Sequence, residues 1–468
     1  MYIFILKGAA QMDSFINAVK SINGAVNGFV WGIPMLVLII ATGIYMTVRT
    51  GFFQITKIKY WSNETFLAIF KKKSVTKTKE KKAISQFQAL STALAATIGT
   101  GNIAGVATAI AVGGPGAVFW MWVSAAFCTA IAFGENVLGV IYKNRGGCSP
   151  MSYISGAITP GTAVLYAAVC VLASFGIGNM TQTNALAAAA GELGLSCKAS
   201  GLVTAFLCGL VIFRGAKNVA SAAEKIIPVI SLLYLAAGII VIVIFRNNVI
   251  SVLKLIFTSA IGYSQVTGGI LGTAIKRSVS VGLRRGIFSN EAGMGSSVLV
   301  HTETDCDEPV RMGMWAVAEV VIDTIICCSV TAFVILLTGA DTSGGTGLAM
   351  AAEGFQRGLG RYAGYFVAAS AVIFAFCTLL GWYFYGEKCL LYIVRNGSEK
   401  IPLLMYRGAY TGAAFIGAVS GLEIIWGMAY IFNWILMVIN LAAILILNGK
   451  IAESAQNYTE SIMKKRSG

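Results

Sequence analysis

Charge is scarce in this chain. Asp, Glu, Lys and Arg make up 12% of its 468 residues, about half the share of an ordinary soluble domain. Histidine is scarcer: His301 stands alone, which leaves little scope for a histidine metal site or a histidine-based triad. The 10 cysteines include no C-x-x-C pair and lie mostly in apolar runs such as Cys327-Cys328. They read as small reduced hydrophobes, neither disulfides nor metal ligands. Proline is rare too, at 7 residues against 53 glycines. What remains is 57% hydrophobic with a mean hydropathy of +0.76, the composition of a polytopic membrane protein. Small residues let membrane helices approach closely, so Gly101-x-x-x-Gly105 and Gly417-x-x-x-Gly421 read as packing faces.

A net charge of +15 is also a nucleic-acid signature, but the basic residues fall in short loops between apolar runs, where the positive-inside bias explains them. The bilayer is the expected partner and nucleic acid is not. Residues 1 to 27 lack a signal-peptide pattern, and residues 5 to 24 read as an interfacial amphipathic helix. A first span over Phe29 to Val48 is followed by a lysine-rich loop. The N-terminus is therefore expected outside and the basic tail, 448–468, in the cytoplasm.

Five apolar segments follow between 86 and 245, and a second set of five between 246 and 447, giving eleven spans with 1–85 as an N-terminal unit. The stretch 247–285 resists a clean reading: Val249 to Ser259 fits an outer surface helix, and Gly262 to Leu283 a half-helix that carries basic residues toward a break spanning Arg284 to Gly295. Each set opens with a glycine-interrupted helix, at Gly99-Thr100-Gly101-Asn102 and at Gly293-Met294-Gly295. An odd number of spans per set inverts the second against the first. The expected fold is an all-α inverted repeat with a site at the bilayer midplane.

Freed backbone at membrane depth is tolerated where it lines a cavity. The amides of Thr100 and Gly101 suit a substrate carboxylate, and Asn102 lies in the same break. The carbonyls of Ala96 and Gly99, with the hydroxyls of Thr97 and Thr378, suit a sodium ion. The alternative for either threonine is a hydroxyl bonded back to its own helix. Asn179 and Gln182 lie three apart on one helical face and suit a zwitterion or an interhelical hydrogen bond. Phe288 and Trp382 either wall the pocket or pack in the core. Acids inside spans, namely Glu135, Glu291, Glu319, Asp323 and Glu387, need a reason to be there. Glu291, beside the second break, is expected to cap the half-helix that follows; the alternative is a coupling ion or proton site.

These motifs carry a family resemblance. Phe87 to Ile110, Gly176-Ile177-Gly178-Asn179-Met180-Thr181-Gln182, Phe288-Ser289-Asn290-Glu291-Ala292-Gly293 and Leu380 to Lys388 resemble the signatures of the sodium:alanine (or glycine) symporters, over about Phe29 to Leu447. The resemblance implies the five-plus-five fold of the bacterial leucine transporter and sodium-driven uptake of small neutral amino acids, with Na+ as coupling ion and no organic cofactor. It implies substrate contacts at Thr100, Gly101, Asn102, Gln182, Phe288, Thr378 and Trp382. Proton coupling, or another neutral substrate such as serine or glutamine, stays open. A channel would need a continuous polar pore and an enzyme a nucleophile with its base, and neither is visible.

Overall fold

A computed structural model describes residues 28, 30–71, 73–78, 83–143, 150–262, 270–420 and 423–467. The amphipathic segment expected at 5–24 lies outside them, as does Gly421. Among the described residues no strand forms, and a single bridge joins Ile84 to Thr304.

The helices are α1 (Ile33–Arg49), α2 (Gln86–Thr97), α3 (Gly101–Gly113), α4 (Gly116–Tyr142), α5 (Pro160–Gly191), α6 (Cys197–Ile212), α7 (Ala216–Ile244) and α8 (Val249–Ile261). They continue as α9 (Ile270–Asn290), α10 (Pro309–Thr338), α11 (Gly347–Leu359), α12 (Tyr362–Val394), α13 (Lys400–Val419), α14 (Glu423–Ile446) and α15 (Asn448–Ser467). Short helices fill the lysine-rich loop. Six helices are long and apolar enough to cross a membrane, or seven when the bent α2–α3 pair is counted as one span, and α1 and α6 are shorter apolar helices. The outer face of α7 exposes Val229, Leu232, Leu233, Ile239, Ile240, Val243 and Ile244, an apolar band that water would penalise and lipid would not.

α4 sits at the centre, packed against α1, α8, α9 and α10. The approach of α9 depends on glycine: a Cβ at Gly282 would meet the Ala117 carbonyl and Trp120, and one at Gly286 would meet Ser124. These contacts explain why α9 stays helical through its glycines and arginines. The second interruption is therefore not the long break from Arg284 expected from sequence; it begins after Asn290. Glu291 takes a left-handed φ of 53°, and Gly293 and Gly295 take 91° and 76°, values that only glycine adopts freely. Nor does a half-helix follow. One turn, Val298–His301, runs into Thr302 and Thr304, whose hydroxyls bond back to Val298 O and His301 O, and Pro309 starts α10.

The first interruption falls where the sequence places it. Ser85 and Gln88 open α2 with a reciprocal capping box. Ile98 then turns extended, and α3 leaves at 53° to α2.

Candidate functional site

At this break the Gly99 amide, which a continuing helix would give to the Ala95 carbonyl, is turned to Asn102 Oδ1 at 3.0 Å. The Ala95 carbonyl thus loses its helical donor. Asn102 Nδ2 reaches Asp323 Oδ1 at 2.6 Å and Ser289 Oγ at 3.3 Å, so the break is pinned to α9 and to the π-helical turn Val321–Cys328 of α10.

A cavity of about 460 Å³ runs from the break to the end of α3. One wall is the stripe Gly101, Ala104, Gly105, Thr108, Ala109 and Val112 on α3; the facing wall is Val281, Arg284, Arg285, Phe288 and Ser289 on α9. The α9 stripe follows the 3.6-residue helical period, and the α3 stripe starts in the π-helical turn Gly101–Gly105 before joining that period from Val106. Ala96, Thr97, Gly99, Thr100, Gln182, Glu291, Thr378 and Trp382 close the inner end. The structure therefore brings together ten of the residues expected from sequence: these eight with Gly101 and Phe288.

Asn102 and Asn179 stand outside the lining. Asn102 acts on the backbone of the break, as above. Asn179 lies in the π-helical turn Gly176–Met180, whose wider winding separates it from the face of Gln182. Its Nδ2 donates to Tyr410 O at 2.7 Å, while Gln182 Oε1 accepts from Thr100 Oγ1 at 3.3 Å. The shared face expected of the pair is not formed.

Thr97 and Thr378 hydroxyls bond back to Ala93 O at 3.2 Å and Phe374 O at 3.1 Å. Their lone pairs remain available at the cavity. Thr378 Oγ1 would lie 2.8 Å from a Cβ at Gly99, so glycine there admits the hydroxyl to the break. Trp382 Nε1 donates to Glu291 Oε1 at 3.0 Å, and Ser296 Oγ to Glu291 Oε2 at 2.9 Å.

Glu291 thus does not cap the second break. That work falls to Glu135 of α4, whose Oε2 accepts from Gly293 N and Gly295 N, each at 3.2 Å, and from Asn440 Nδ2 at 2.8 Å. The other acids are also held: Glu319 by His301 Nε2 at 3.0 Å, and Glu387 by Tyr383 and by Arg407 at 3.5 Å. Sequence reasoning missed Arg284, Arg285 and Tyr430 as cavity residues. The signal for the arginines was the stripe on α9, masked by the expectation that the second break already begins at Arg284. Arg284 Nη2 donates to Trp31 O at 2.7 Å, and the Trp31 ring packs edge to face on Phe288 and Tyr430, which are tilted against each other.

At the opposite end of the bundle the chain is laced shut. Ile84 N donates to Glu303 O at 3.1 Å, Lys388 pairs with Glu303 at 2.5 Å, and Lys143 Nζ donates to Thr304 O at 2.6 Å.

A broken helix lining a cavity in an apolar bundle defines a membrane transporter of the secondary class. The fold is similar to that of a Na+-coupled sialic acid symporter solved in a substrate-bound, outward-open state, with a TM-score of 0.55 over 89% of this chain and 98% of that one at 10% identity. The chain itself belongs to the sodium:alanine symporter family, whose profile matches residues 16–467. It is 38% identical to the sodium/alanine symporter AgcS of Methanococcus maripaludis over 94% of this chain and 97% of that protein. It is 35% identical, over 94% and 91%, to a Bacillus subtilis protein described as "Probable sodium/glutamine symporter GlnT".

Proposed function

We propose that the protein carries a small neutral amino acid, alanine or glycine, into the cell together with sodium by alternating access. The observation that carries this reading is the α2–α3 break, where freed backbone, two threonine hydroxyls and the Gln182 amide meet at the floor of one cavity. Sodium sits among the carbonyls of Ala96 and Gly99 and the hydroxyls of Thr97 and Thr378, a neutral oxygen set suited to a hard monovalent ion. The amino acid lies above it, against Thr100, Gly101, Gln182, Phe288, Thr378 and Trp382. Asn102 and Asn179 shape the site from behind. Family membership supports the sodium and amino-acid assignments.

In the same reading the chain has eleven spans, arranged as an N-terminal unit, 1–85, two inverted sets of five, 86–245 and 246–447, and a tail, 448–468. The N-terminus is outside and the C-terminus cytoplasmic, so the cavity faces out and the Glu303 links close the inside. One sodium with a zwitterion moves one net charge. A potential of about 100 mV then contributes roughly 2.3 kcal/mol, enough for about fifty-fold accumulation. A second reading, glutamine as substrate, is favoured by the similarity to GlnT.

Uptake of labelled alanine into liposomes tests this. Saturable accumulation driven by an inward sodium gradient is expected. Accumulation driven only by protons transfers the coupling role to Glu291, and competition by glutamine but not by alanine selects the second reading.

A further inference from the structure

Arg285 projects from α9 across the cavity onto α3. A Cβ at Gly101 would collide with its Nη2, and one at Gly105 with its guanidinium carbon. The Gly101-x-x-x-Gly105 motif, read from sequence as a helix-packing face, is thus a slot for an arginine side chain. The cation in that slot has little to neutralise it. Among the described residues no carboxylate lies within ion-pair distance, and its buried Nε has no hydrogen-bond partner. Asp323 acts on it only through space and is already held by Asn102 and by Thr324 Oγ1 at 2.7 Å. The guanidinium is half-buried on the cavity wall and has no direct ion-pair partner, so a small anion that enters the cavity would supply one.

The same cavity carries one carboxylate, Glu291. It lies six residues further along, just past the end of α9. The walls therefore have a positive pole and a negative pole.

We infer that Arg285 receives the carboxylate of the transported amino acid, with the ammonium group directed toward Glu291. This rests on the amino-acid symport proposed above and adds to it a residue that selects for an α-carboxylate. The planar guanidinium offers paired donors that match a carboxylate, and its position against Gly101 places them beside the amides that head α3.

The test is ligand binding to the purified full chain in sodium-containing detergent, read by thermal stabilisation and repeated in liposomes for uptake. The probes are alanine and alaninamide, which keeps the ammonium and methyl groups but lacks the carboxylate. The wild type should prefer alanine. Arg285→Gln should weaken alanine roughly tenfold or more and change alaninamide less than about twofold, so that the preference collapses. Arg285→Lys should fall between. A structural role would weaken both ligands together, and an unchanged preference in Arg285→Gln overturns the inference. If that variant does not fold, Arg285→Lys and Gly105→Ala, which displaces the guanidinium without removing it, are read the same way; an unchanged preference in both overturns it. Replacing chloride with gluconate separates the other small anion. Wild-type binding that needs chloride, with the need lost in Arg285→Gln, assigns the guanidinium to a halide and overturns the carboxylate. Alanine binding without sodium-driven uptake would sink the symport reading and leave this inference standing.

Discussion

The chain interrupts a helix twice and treats the exposed backbone in opposite ways. At Glu291–Ser297 the polar groups are collected by protein: two amides go to Glu135, Gly293 O accepts from Asn440, and Met294 O accepts from Tyr166 at 2.7 Å. At Ile98–Thr100 the helix ends facing a cavity, the Ala95 carbonyl loses its donor, and Asn102 supplies the side-chain link. A break satisfied by its own protein is scaffold. A break left open to a cavity has valence to offer a ligand.

The largest effect that would test this contrast is at the closed break. Glu135→Ala strands the Gly293 and Gly295 amides and takes one hydrogen bond from Asn440 in the core, and should cost roughly 3–5 kcal/mol of stability, seen as loss of the monodisperse peak and a lower melting temperature in detergent. A variant as stable as the parent would end the comparison. Asn102→Ala comes next. It unpins the open break and leaves the Gly99 amide and the Asp323 carboxylate short of a partner, about 1–3 kcal/mol, with weaker sodium dependence in uptake assays. Thr378→Val removes a hydroxyl that faces the open break and otherwise bonds only back to its own helix, at Phe374 O. The sodium concentration for half-maximal uptake should rise about tenfold, near 1.4 kcal/mol, while melting without sodium moves little. The smallest change belongs to Trp382→Phe, which loses the 3.0 Å hydrogen bond to Glu291. About 0.5–1.5 kcal/mol predicts a rise of a few-fold in KM for the amino acid with sodium affinity preserved.

Much of the open break was legible because its causes are local. Glycines, an asparagine and apolar flanks specify an unwound turn, and Thr97, Gly99 and Thr100 follow from the same logic; Thr378, on the distant helix Tyr362–Val394, came from its hydroxyl chemistry and the family resemblance. The 33-residue helix Tyr362–Val394 is one of the apolar segments expected between 246 and 447. The closed break was half legible: its glycines announce left-handed backbone, but its collector, Glu135, arrives from a helix more than 150 residues away, and nothing local favours it over the adjacent Glu291. Asn179 was misplaced because a π-helical turn changes the angular register without changing composition. Arg285 was hidden because the second break was expected to begin at Arg284, whereas the helix continues to Asn290 and carries the guanidinium to the cavity.

The fit of Arg285 between Gly101 and Gly105 also makes the order of mutation matter. Gly105→Ala in the parent chain drives a methyl group into the guanidinium and should be harmful; the same change after Arg285→Ala no longer meets the three atoms nearest to it, all of them Arg285's, and should be far less harmful. The three positions are therefore epistatic, and a lineage that loses the arginine first can fill the slot with alanine and then find the way back closed.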